Sequence, residues 1–109
     1  MNIADDLVIL KVKKLLQGTE LPINKIFLFG SRAKQTFHPD SDYDFLILVK
    51  NIEDKEELKI YKRKINFLIR NEIPDTSFDL IIKNESEFEE NKESINTLLN
   101  EIYEEGILI

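Results

Sequence analysis

Lys25-Ile26-Phe27-Leu28-Phe29-Gly30-Ser31-Arg32-Ala33, followed after a short polar loop by Ser41-Asp42-Tyr43-Asp44-Phe45, is the stretch on which the fold turns. Lys25 to Phe29 reads as a short buried strand that Gly30 ends. Ser31 is placed to cap a brief helical turn, Arg32 to Gln35, by accepting a backbone N–H. The loop Thr36 to Ser41 contains His38-Pro39-Asp40, and Pro39 disfavours helix at the residue before it. A second strand, Tyr43 to Val49, follows at once. Its residues are apolar on both faces, which predicts a central position in the sheet.

Working outward, Val8, Val12, Leu15 and Leu16 recur at helical spacing, with Gly18 where a C-terminal cap belongs and Pro22 as punctuation. Glu53 to Asn71 predicts a second helix with the apolar stripe Leu58, Tyr61, Ile65, Leu68 and Ile69, closed off by Pro74. Ser77 to Lys83 predicts a third strand. Ser86-Glu87-Phe88-Glu89 has the form of a capping box opening a last helix that buries Phe88, Ile95, Leu98, Leu99, Ile102 and Tyr103. Gly106 releases an apolar tail, Ile107-Leu108-Ile109, suited to an edge strand. The order helix–strand–strand–helix–strand–helix predicts an α+β fold, α/β-like, with helices packed on a small mixed sheet. Residues 1–109 are expected to form one domain, without repeats or linkers.

Composition narrows the function classes. The formal net charge is −6, which opposes polynucleotide binding, since that affinity comes mainly from Lys and Arg neutralising phosphates. One local exception is Lys59-Ile60-Tyr61-Lys62-Arg63-Lys64, read as the solvated face of a helix or a docking surface for an acidic partner. The longest apolar run, Phe45 to Val49, is strand-sized, so no membrane span is expected. Asp5 and Asp6 stand where a signal peptide would be basic and apolar. No cysteine is present, which excludes disulfides and thiolate metal sites and fits a cytoplasmic setting. A chain this small is expected to need a second copy, a partner or the substrate itself to complete a deep cleft.

Asp42 and Asp44 stand two apart at the start of a strand and so point to one face, with roughly 7 Å between their Cα atoms. Like charges this close repel and raise a pKa unless something positive lies between them. A hard cation with oxygen ligands, Mg²⁺ or Mn²⁺, answers that need. A plainer reading makes Asp40, Ser41 and Asp42 turn residues and Asp44 a solvated strand residue. Calcium fails on spacing: Phe45 occupies the glycine position of an EF-hand loop and Asn51 the closing glutamate position. Gly30-Ser31, at the end of a strand and before a helical turn, offers backbone N–H groups and a hydroxyl to an anion. By itself it is also a plain turn with a capping serine, and it is not a P-loop.

Gly30-Ser31, ten residues, then Asp42-x-Asp44 resembles the G-S-x10-D-x-D signature of the polymerase-beta-like nucleotidyltransferase superfamily. Phe29-Gly30-Ser31-Arg32-Ala33 with Ser41-Asp42-Tyr43-Asp44-Phe45 is similar to its smallest branch, the MNT proteins. Phe78-Asp79-Leu80-Ile81 and Glu105-Gly106-Ile107-Leu108 extend that likeness over nearly the whole chain. Gln35 departs from it, standing where members of the branch often carry Gly, and is expected to change the shape or flexibility of the loop.

The resemblance implies a nucleotidyltransferase fold and a set of roles. Asp42, Asp44 and Asp79 would be the catalytic and metal-binding carboxylates, holding two Mg²⁺ ions (Mn²⁺ as a substitute) on the phosphates of ATP. Asp79 would also orient or deprotonate the acceptor hydroxyl, although a solvated aspartate at a sheet edge is the plain alternative for that residue. Gly30 and Ser31 would bind the distal phosphates, and Arg32 would add positive charge there or else form a surface ion pair. His38, in a polar loop beside Pro39, reads as structural. MNT proteins are commonly antitoxins that bind a helical HEPN-domain toxin and transfer AMP to it, so the resemblance implies that partner. A fold that neutralises its partner by contact alone is the competing reading. Transfer to a small molecule is a third, but it usually needs a further domain to enclose the acceptor.

Overall fold

The computed structural model describes residues 3–109 and bears out the predicted architecture. Four strands, β1 (Ile23–Phe29), β2 (Tyr43–Val49), β3 (Phe78–Asn84) and β4 (Ile107–Leu108), form one sheet in the order β3-β2-β1-β4. β1 runs antiparallel to β2 and β4, while β2 and β3 are parallel. Parallel neighbours need a crossover, and the chain supplies one with α3 (Lys55–Glu72). The tail does add the expected edge strand, Leu28 opposite Ile107.

Alternation along β2 divides the core in two. Tyr43, Phe45, Ile47 and Val49 face α1 (Leu7–Gln17) and α3, meeting Ile9, Val12 and Leu16 from the first and Ile65 and Ile69 from the second. Leu46 and Leu48 face the other way, against Phe88, Leu99 and Ile102 of α4 (Glu85–Asn91) and α5 (Leu98–Glu105). Residues 45 to 49 are wholly buried, as a strand covered on both faces should be. No helix among the described residues is long and apolar enough to cross a membrane.

Local chemistry fixes the helix ends, and it corrects three expectations. α1 starts at Asp6, whose Oδ1 accepts from the N–H groups of Val8 (2.9 Å) and Ile9 (3.2 Å). Asp54 does the same for α3, from Glu56 at 2.9 Å. Ser31 is not a cap: the short turn α2 (Gly30–Ala33) begins one residue earlier, with Phe29 before it. Nor is Ser86 a cap. Asn84 precedes α4 directly, and the Ser86 N–H is satisfied by Asn51 Oδ1 (2.9 Å) from the loop after β2. Asn84 itself exchanges two hydrogen bonds with the Ile52 backbone (3.0 and 2.9 Å), pinning that loop to the end of β3.

The third correction is the last helix, which is two helices. Residues 92–97 turn between them, with Asn96 at φ 67° in the left-handed region that asparagine tolerates. Thr97 Oγ1 then caps α5 through the Asn100 N–H at 3.1 Å. The break carries Ile95 out to solvent at 81% exposure and leaves Leu98 and Tyr103 half exposed, so those three do not join the core as their spacing suggested.

Candidate active site

Asp44 pairs with Phe29 across the antiparallel ladder and with Asp79 across the parallel one. By strand alternation Asp42, Asp44 and Asp79 share the sheet face of Leu46, Leu48 and Ile81, beyond the part that α4 and α5 cover. Asp42 and Asp79 are exposed and Asp44 is half-buried. Burial, then the charges of Asp79 and Asp42, push the Asp44 carboxyl above its usual range. Among the described residues none of the three is in an ion pair. The sheet thus gathers carboxylates two residues apart and 35 residues apart into one uncompensated negative site.

Gly30 lies against this site. Its φ is +73°, and a Cβ there would collide with Asp44 Oδ2. Glycine is required at this position twice over, by its left-handed backbone and by the close approach of the carboxylate. Ser31 follows, half-buried, its carbonyl accepting the Thr36 N–H at 3.0 Å. Gln35 has φ 62°, the left-handed conformation that glycine takes freely, so a position suited to glycine is held here by a longer side chain.

Arg32 does not fill the predicted place as a free phosphate ligand, nor does it form a surface ion pair. It is only 7% exposed. Its Nε and Nη2 donate to the Ser41 carbonyl (3.1 and 2.9 Å) and Nη2 also to the Pro39 carbonyl (3.2 Å). The guanidinium carbon sits 3.8 Å from the centre of the Tyr43 ring and 4.6 Å from that of Phe37. Arg32 therefore clamps the loop that delivers Asp42. His38 belongs to the same loop, and its backbone N–H donates to Ser41 Oγ (2.9 Å).

Sequence reasoning missed the support behind this clamp. Tyr43 Oη donates to Asp6 Oδ2 at 2.8 Å, so the residue that caps α1 also holds the first residue of β2. Burial, then the hydrogen bond to Asp6, push the Tyr43 hydroxyl up to about 12. Phe37, an aromatic residue in an otherwise polar loop, was the one visible sign that something stacked there.

The donor set suits Mg²⁺ or Mn²⁺: hard carboxylate oxygens, unneutralised, beside a backbone bared by glycine. Among the described residues no three Asp, Glu or His side chains are arranged to enclose an ion by themselves. Mg²⁺ is commonly held by one or two carboxylates, with substrate phosphates and water completing the shell.

Residues 10–109 match the family described as "Polymerase beta, Nucleotidyltransferase", and the chain belongs to that family. No curated protein sequence matches it. Among solved structures, it resembles a toxin–antitoxin crystal structure with AMP-PNP (TM-score 0.55, 24% identity), covering 90% of this chain and 68% of that one. A mutant of the toxin–antitoxin pair MntA-HpeT is similar at TM-score 0.52 and 22% identity, with the same coverage. A putative nucleotidyltransferase from Sulfolobus solfataricus matches at TM-score 0.53 and 16% identity, covering 93% of this chain and 75% of the other. Likeness at these identities establishes the nucleotidyltransferase fold.

Proposed function

We propose that this protein is a metal-dependent nucleotidyltransferase that moves AMP from ATP to an acceptor hydroxyl on a HEPN-type toxin, and so acts as its cytoplasmic antitoxin. The observation that carries the reading is the placement of Asp44 beside Asp79, unpaired and flush against a glycine that can carry no side chain. Two of the similar structures are toxin–antitoxin structures, one of them with AMP-PNP, which supports both the nucleotide and the kind of partner.

Asp42 and Asp44, with Asp79, would hold the metal, which supplies charge neutralisation on the phosphates when bound. Gly30 lets the backbone approach the distal phosphates, and Ser31 offers them an N–H and a hydroxyl. Asp79, exposed on the neighbouring strand, accepts the proton of the acceptor hydroxyl. The hydroxyl oxygen forms a bond to the α-phosphorus as the bond to the β-phosphate oxygen breaks, and pyrophosphate leaves. Arg32 and Tyr43 act behind the site, keeping the Asp42 loop in position.

The test is intact-mass measurement of the toxin after incubation with the protein, Mg²⁺ and ATP. A gain of one or more AMP groups, lost when Asp42→Asn and Asp44→Asn are combined, is expected. Transfer that survives both substitutions overturns the assignment. Neutralisation of the toxin with no mass gain identifies a protein that works by contact alone.

A further inference from the structure

Charge is segregated across the sheet. α1 and α3 carry nine of the fifteen Lys and Arg residues and three of the 21 Asp and Glu, those three being Glu56, Glu57 and Glu72 at the ends of α3. On the opposite sheet face, residues 85–105 carry eight glutamates against the single Lys92. Net charge alone therefore hides two faces of opposite sign.

Each face also exposes apolar side chains that nothing among the described residues covers. On the basic side Leu7 is 76% and Phe67 71% exposed, with Leu10 and Ile60 about half exposed. A groove between α1 and the end of α3 runs from Leu7 and Leu10 past Lys11 and Lys14 to Leu68, with Glu72 and Asp75 at its α3 end. Ile60, Lys64 and Phe67 recur at helical spacing on the stripe next to Leu68, so the surface is continuous across both helices. On the acidic side Ile95 and Leu98 stand beside Glu104, with Glu101 and Glu105 there paired to Lys34. Glu93 and Glu104 have no ion-pair partner among the described residues.

We propose that the basic α1/α3 face of one copy seats the acidic α4/α5 face of a second copy, head to tail. Each face offers what the other lacks: apolar anchors within a field of the opposite sign, the arrangement that guides and orients association. A two-fold dimer through α1/α3 would bury the same apolar residues but oppose cation to cation. A stable interface needs about 800 Å² per partner. That is little more than a tenth of the 6901 Å² surface of this chain, within reach of one helical layer. The contact is heterologous and so builds chains or a ring rather than a closed dimer.

Sedimentation velocity over a concentration series, at low and high salt, tests this with the intact protein. The mean mass should rise with concentration and fall as salt screens the pairing. Lys64→Ser with Phe67→Ser should weaken association about tenfold or more, as loss of central anchors does, and Ile95→Ser with Glu104→Ser should do likewise. Mixed together, the two variants retain one good face each and should give a one-to-one dimer and nothing larger. Circular dichroism spectra matching the parent protein confirm that each variant is folded. A protein that stays monomeric at low salt throughout the series overturns the proposal, as does a dimer that only the α1/α3 substitutions disrupt.

Discussion

Replacing Gly30 by alanine tests whether backbone geometry beside Asp44 governs the chemistry. The change adds one methyl group, yet it meets two obstacles. The left-handed φ of +73° is unfavourable for an L side chain by about 1–2 kcal/mol, and alanine regains part of that by restricting the unfolded chain. A net loss of about 1 kcal/mol corresponds to a fall in Tm of roughly 4–8 °C for a domain of this size. The second obstacle is local. Asp44 Oδ2 would have to retreat by more than an ångström to reach ordinary contact with the new Cβ. Displacement of a catalytic group by about 1 Å is enough to slow a reaction ~100-fold. The proposed transfer of AMP to the toxin should therefore fall about 100-fold, measured as initial rates well below the Tm of both proteins. Gly106→Ala serves as the control, because its Cβ would strike the Ile102 carbonyl and its nearest neighbours are all Ile102 atoms rather than a carboxylate. It should lower Tm and leave transfer unchanged. A Gly30→Ala protein that transfers at the parent rate would refute the claim that the close approach to Asp44 matters.

Other outcomes follow from the clamp and the loop. Arg32→Lys should destabilise by roughly 2 kcal/mol or more in chemical denaturation, since an ammonium cannot reproduce the forked hydrogen bonds between two rings. A lysine variant as stable as the parent would show the stacking to be idle. Gln35→Gly should leave stability within about 1 kcal/mol of the parent, because relief of the left-handed strain is offset by the entropy of glycine. Gln35→Val at the same place should be clearly worse, as read by Tm. Tyr43 has its hydroxyl raised in the folded state, so its contribution to stability is complete below about 10, the usual tyrosine value, and is lost as pH rises through about 12. Tyr43→Phe should flatten the alkaline limb of a stability–pH curve, and an unaltered limb would count against the burial and hydrogen bonding that raise the Tyr43 hydroxyl.

Much of the fold could be read along the chain because its strands are short apolar runs bounded by Gly, Pro and Asp. Residues 43–49 announced a doubly covered central strand, and that is where the structure puts them. The split after Asn91 was not visible, because Ile95 and Leu98 continue the helical spacing of Phe88 while facing solvent. Periodicity records which residues could share a face, not whether anything packs on it. At the site, the closeness of Asp42 and Asp44 is a local property and could be read directly. The place of Asp79 depends on β3 lying parallel to β2, which no local pattern specifies. Arg32 misled for a related reason: long cationic side chains usually sit at surfaces, and its burial is decided by two rings and two carbonyls that only the folded loop assembles.

The parallel ladder between β2 and β3 has a consequence for how the protein comes into being. Asp44 and Asp79 become neighbours only once the whole α3 crossover has closed, a distant contact made against chain entropy. A hairpin of β1 and β2 alone holds two of the carboxylates but not the third. A chain still emerging or partly unfolded therefore lacks the complete set, and the proposed chemistry can begin only after that closure. For a protein proposed to modify its own partner, the finished fold is itself the permit to act.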